Sequence, residues 1–122
     1  MPDNRDFAEA FAGLRAILEP YGKKLVLVQD TETSYYIETG KIGPNKKPVF
    51  FAAVRQGKSY VSFHLFPVYV KPDLLKEISP ELRKRMQGKS CFNFQSADPK
   101  LFRELARLTK EGHAFFKSTG WV

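Results

Sequence analysis

VFFAAVRQGKSYVSFHLF, residues 49–66, is the stretch on which the reading of this chain turns. β-Branched and aromatic residues fill both halves, and Gln56–Gly57 supplies a tight turn between them. The segment therefore predicts an antiparallel hairpin, with strands over 49–55 and 59–66. Alternation along the second strand puts Val61, Phe63 and Leu65 on one face, and Tyr60, Ser62, His64 and Phe66 on the other. The first strand offers apolar side chains to both sides: Val49, Phe51 and Ala53 to one, Phe50, Ala52 and Val54 to the other. Helices on one side of a sheet bury only one of its faces. The second face, with Tyr60, His64 and Phe66, needs a cover of its own. The candidates are the segment Lys71–Met86, a second subunit or a ligand.

Upstream of the hairpin, Phe7, Phe11, Leu14, Ile17 and Leu18 recur at helical spacing, with Arg5, Glu9 and Arg15 elsewhere on the wheel. This predicts an amphipathic helix that Pro20 and Gly22 end. KLVLVQ (24–29) and SYYIET (34–39) read as a pair of strands, and GKIGPNKKP (40–48) as a basic loop. Downstream, Pro67 closes the hairpin's second strand. Pro72 opens a short helix over 73–78, because its missing N–H costs nothing in a first turn. A second short helix over 81–86 stops at Gly88, and SCFNF (90–94) forms a last strand. Asp98 caps a closing helix with Pro99 at its first position. Leu101, Leu105, Leu108 and then Phe115 or Phe116 supply its buried stripe, and Gly112 weakens or bends it. The sum is an α+β fold in one domain over 1–122. An antiparallel sheet packs against N- and C-terminal helices, with short helices before the last strand.

Composition sets limits on function. A 122-residue chain that is 43% hydrophobic, with eleven Phe, buries about two-thirds of its unfolded surface and folds without covalent staples. Cys91 is its only cysteine, so no intramolecular disulfide forms, as suits a reducing compartment. The first residues, MPDNRDFAEAFAGL, lack an apolar signal core, and no apolar run approaches the ~18 residues of a membrane span. The expectation is a cytoplasmic protein. The net charge of +7 favours anionic partners over cationic ones.

No catalytic motif emerges. Gly88-Lys89-Ser90 ends like a phosphate loop, but Arg83 stands where that loop needs a glycine, and a strand rather than a helix follows. His64, Cys91 and His113 lie on three separate elements without ligand spacing. Cys91 would be a reactive thiol if Arg85 or Lys89 approached it; a buried strand cysteine is the plainer reading. His113 is read as a surface residue of the closing helix. Asp6 with Glu9, and Asp30 with Glu32, read as solvated surface pairs. Lys41, Lys46 and Lys47, with the basic residues between Lys71 and Lys89, form either an anion-binding surface or an ordinary solvated helix face.

FFAAVRQGKSYVSFHLFPVY (50–69), LLKEISPELRKRMQGKSCFNF (74–94) and LFRELARLTKEGHAFF (101–116) together resemble the YdhG-like domain-of-unknown-function family. The likeness runs from Tyr35 onward and is most specific over Met86-Gln87-Gly88-Lys89-Ser90-Cys91-Phe92-Asn93-Phe94. It implies an α+β sandwich with terminal helices on an antiparallel sheet. One branch of that family is described as a frataxin-like iron chaperone, whose acidic residues on helix and strand hold iron. Here Asp3, Asp6 and Glu9, with His64, would be the residues to do so.

Three functions follow as expectations. The first is a non-enzymatic binding domain, without cofactor, whose aromatic sheet face takes a small anionic or aromatic ligand through Tyr36, Tyr60, His64, Phe66, Arg85 and Lys89. The second is iron handling, as the resemblance implies. The third is nucleic-acid binding, with aromatic stacking beside a lysine–arginine groove. A monomer and a homodimer both fit the sequence.

Overall fold

In the computed structural model, residues 4–44 and 46–121 are described. Helix α1 (Asn4–Gly22) leads into strands β1 (Val26–Asp30), β2 (Ser34–Ile42), β3 (Pro48–Gln56) and β4 (Val61–Leu65). Next come α2 (Phe66–Val70), a 3-10 turn over Pro72–Leu75, and α3 (Pro80–Arg83). Strands β5 (Met86–Gln87) and β6 (Cys91–Phe94) precede the closing helix α4 (Pro99–Thr119). The six strands form one antiparallel sheet in the order β1-β2-β3-β4-β6-β5. The fold is α+β, with the N- and C-terminal helices packed on one face of that sheet. No helix among the described residues is long and apolar enough to cross a membrane.

The predicted stripes bury as their spacing requires, except that Ile17 is only partly buried. Phe7, Phe11, Leu14 and Leu18 of α1, and Leu101, Leu105, Leu108 and Phe116 of α4, close over Val61, Phe63 and Leu65 of β4 and Phe92 and Phe94 of β6. Phe116 rather than Phe115 completes the α4 stripe. Asp98 caps α4 by accepting from the Leu101 amide at 3.2 Å, with Pro99 in the first turn. Helix α4 runs through Gly112 without interruption. A Cβ there would lie 2.8 Å from the Cβ of Pro67, so the glycine lets α4 lie directly on α2.

Several boundaries differ from expectation. Helix α1 continues through Pro20 to Gly22. Proline fits helical φ and removes only one backbone bond, and Tyr21 holds the extra turn by packing on Phe51 and His113. The β3–β4 connection is a four-residue loop, 57–60, closed by Gly57 N–H to the Tyr60 carbonyl at 3.0 Å. The basic loop is shorter than expected, because β2 runs on to Ile42. Pro67 opens α2 rather than only closing β4, which places Phe66 in a helix. The second short helix ends at Arg83. Met86 and Gln87 pair as an edge strand, and Gly88, with φ +79°, turns the chain back into β6.

The largest correction concerns β3. Ile37 pairs with Ala52 and Glu38 with Phe50, so Phe51 is an extra residue in a bulge. A bulge resets the alternation. Phe51 turns inward onto Tyr21, His113 and Phe116, beside Ala52 and Val54. Phe50, Ala53 and Arg55 then belong to the other face, which is half polar rather than apolar throughout.

Candidate functional site

Strand pairing orders that other face into rows. Tyr36, Ala53, His64 and Cys91 lie in register across β2, β3, β4 and β6, with Gln87 of β5 opposite Cys91. One step along, Ser34, Arg55, Ser62 and Asn93 form a second row. Paired residues on antiparallel strands project to the same side, and the inward neighbours Val61, Phe63, Leu65, Phe92 and Phe94 are all buried. The two rows therefore face away from the helices. The segment proposed as a cover does not lie over them and borders them only through Lys84–Met86. It packs on α4, where Glu104 accepts from the Ser79 amide at 2.6 Å and the Ser79 hydroxyl at 2.7 Å, and it ends as the edge strand β5.

A hydrogen-bond chain crosses this face. Ser62 Oγ donates to Asn93 Oδ1 at 2.8 Å, Asn93 Nδ2 donates to Gln87 Oε1 at 2.7 Å, and the Tyr60 hydroxyl reaches the same Gln87 oxygen at 3.4 Å. Cys91 Sγ donates to Asn93 Oδ1 at 3.3 Å and stands 4.0 Å from His64 Nε2. Burial pushes the Cys91 thiol up, against a smaller opposing effect of its bond with Ser62. Burial, then the charge of Arg55, pushes the His64 imidazole down. Both partners are thus held neutral, whereas a cysteine nucleophile needs the thiolate. Arg85 and Lys89 do not supply the missing activation: the Arg85 guanidinium lies over Phe94 at 6.0 Å and Lys89 Nζ over Tyr69 at 5.8 Å.

Two shallow grooves flank the rows and share Tyr60. One, of about 310 Å³, is lined by Arg55, Lys58, Tyr60, Ser62 and His64 among others. The other, of about 370 Å³, is lined by Tyr60, Lys84, Arg85, Gln87 and Asn93, with Met86 and Gln95. Neither contains a carboxylate. None of Arg55, Lys58, Lys84 and Arg85 makes an ion pair among the described residues. At the far side of the first row, Tyr36 stacks on Phe50 with ring centroids 4.8 Å apart.

Of the six residues expected to bind a ligand, Tyr36 and His64 share a row, and Tyr60 joins His64 to Arg85. Phe66 meets this face only through Phe50, with ring centroids 6.1 Å apart, and Lys89 is elsewhere. Phe66 lines an apolar cavity of about 510 Å³ with Phe50, Val70, Phe116 and Trp121. Lys89 borders a hollow with Tyr69, Arg83 and Met86. Arg55, Asn93 and Gln87 line these grooves and escape residue-by-residue reading; the signal for them is the register of β3, β4, β6 and β5, which is fixed by pairing.

The acidic residues of the iron reading do not converge. Asp6 and Glu9 ride on α1, on the helix side of the sheet, opposite His64, and Asp3 lies outside the described residues. No group of three His, Cys, Asp or Glu able to hold a metal ion occurs among the described residues. His113 is not a free surface residue, for its ring packs 5.1 Å from Tyr21 and 5.9 Å from Phe51. No family model matches the chain, and no curated protein or solved structure matches it either.

Proposed function

We propose that the protein is a non-enzymatic binding domain that takes a small anionic ligand on the uncovered sheet face. One observation carries this reading: two adjoining grooves hold four cations, the Tyr60 hydroxyl and the His64 imidazole, and no carboxylate competes for them. Unpaired guanidinium and ammonium groups beside amide donors suit a carboxylate or phosphate. The stacked Tyr36 and Phe50 offer an aromatic surface to the rest of the same ligand. Neutral His64 and Cys91 favour holding a ligand over reacting with it.

Phenyl phosphate, which joins an aromatic ring to an anion, is the probe. Titration followed by amide chemical shifts is expected to move Arg55, Tyr60, His64 and Asn93 together. Arg55→Gln, at an exposed position, should weaken binding about ten-fold, the loss of one charge-assisted hydrogen bond. Shifts confined to Phe66, Val70 and Trp121 would move the site to the apolar cavity and sink the proposal. A single-stranded oligonucleotide that binds more tightly than the probe, with affinity falling steeply in salt, would replace it with nucleic-acid recognition.

A further inference from the structure

The two edges of the sheet are unequal. β5 presents two residues, whereas β1 presents five, and none of the five is buried. Val26, Leu27 and Val28 are 45%, 40% and 50% exposed, three consecutive apolar residues on a strand that pairs only with β2. Edge strands are ordinarily protected by lysine, proline or an overlying element. Val26–Asp30 contains neither residue type, and its link to a helix is the Arg15–Asp30 ion pair at 2.9 Å.

Charge selects the occupant. Lys23 and Lys24 precede the apolar run, and Asp30 and Glu32 follow it, so residues 23–32 are neutral in a chain of net charge +7. A second copy laid antiparallel across a two-fold axis near Leu27 and Val28 sets the apolar centre against itself. It also brings Lys23 and Lys24 beside Asp30 and Glu32 of the partner subunit. A parallel approach would set like charges together. Lys23, Lys24 and Glu32 make no ion pair among the described residues.

We infer that β1 is a homodimer edge: two copies pair β1 to β1, antiparallel, and join their six-stranded sheets into one continuous sheet with the helices on the same side. Such an interface is isologous, each patch serving as its own complement. The bulge between Leu27 and Gln29 shortens the pairing, so the dimer is a weak one, with Kd on the order of 10–100 μM. This inference does not rest on the ligand proposal, whose two grooves lie toward the opposite edge.

Sedimentation equilibrium from about 1 to about 500 μM tests it, since that range spans the expected Kd. The wild-type chain should pass from monomer to dimer. Val28→Pro should abolish the transition, because proline removes a donor and an edge strand tolerates it. Lys24→Glu alone and Glu32→Lys alone should each raise Kd at least about five-fold through like-charge contact. The double variant Lys24→Glu/Glu32→Lys should return to within about two-fold of wild type. That rescue separates a lost contact from a lost fold. A chain monomeric throughout overturns the inference, as does a dimer unmoved by Val28→Pro or a double variant that fails to recover.

Discussion

Cys91 shows how a residue's neighbours settle its chemistry. A cysteine 4.0 Å from a histidine has the composition of a nucleophilic pair, yet the surroundings act the other way. Burial raises the thiol, and burial with Arg55 lowers the imidazole. The proton therefore stays on sulfur, directed at Asn93. Alkylation of native Cys91 by iodoacetamide at pH 8 should run about ten-fold slower than in the urea-unfolded chain, where the thiol titrates near its free value of about 8.5. The rate should climb only above that pH. A native rate equal to or above the unfolded one would show that thiolate is present and reopen covalent chemistry. The residue types on this face were legible in the sequence: His64 and Ser62 follow from alternation in β4. Their company was not. Cys91 and Asn93 lie 27 and 31 residues from His64 and Ser62, and only the pairing of β4 with β6 sets them side by side.

At the scale of elements, hydrophobic periodicity carried most of the fold. The stripes of α1 and α4 and the inward face of β4 follow directly from spacing, because burial acts on every member of a regular pattern alike. The failures lie where one residue departs from a pattern. The β3 bulge is invisible to alternation, since VFFAAV offers apolar side chains at either parity. It is decided by the aromatic pocket that Tyr21, His113 and Phe116 make for Phe51. Phe51→Ala should cost about 3–5 kcal/mol, as for other fully buried aromatics, whereas Phe50→Ala, only partly buried on the outer face, should cost less, under about 1.5 kcal/mol. Equal losses in urea unfolding would contradict the assignment of faces. Gly112 tests the packing of α4 on α2. Helix propensity alone predicts that Gly112→Ala stabilises by about 1 kcal/mol. The added Cβ, however, would meet the Pro67 ring at 2.8 Å and 3.1 Å, and proline cannot swing aside. Overpacking costs about 1–3 kcal/mol, so the net change should be destabilising. A stabilised variant would mean that α2 yields.

The whole molecule couples its charge to its two histidines. His64 lies on the open face and His113 in the seam between α1, α4 and the sheet, and both are pushed below their ordinary value of about 6.5. For each, burial is the larger cause. Nearby cations add to it, Arg55 for His64, and Lys24 and Lys117 for His113. The sign follows from linkage. Below about pH 6.5 the unfolded chain takes up protons that the folded chain resists, so stability is full above that pH and falls as pH drops through the lowered folded values. His64→Gln and His113→Gln should each flatten part of this decline. Because the two sites lie on opposite sides of the sheet, the effects should add within about 0.5 kcal/mol. Salt should soften the decline by screening the cationic contribution while leaving the part due to burial. An anion held beside Arg55 reverses the sign at one site alone. Its charge favours the imidazolium of His64, so phenyl phosphate should bind more tightly at pH 5.5 than at pH 7.5, with proton uptake, even as the free protein loses stability over that range. Ionisation of the probe itself works against this trend, because its dianion is depleted in acid, so phenyl sulfonate, charged throughout, is the control. Affinity for the sulfonate that rises in acid and flattens in His64→Gln, but not in His113→Gln, is the expected result. Affinity independent of both pH and His64 would place the anion away from this face, whatever the stability curve showed.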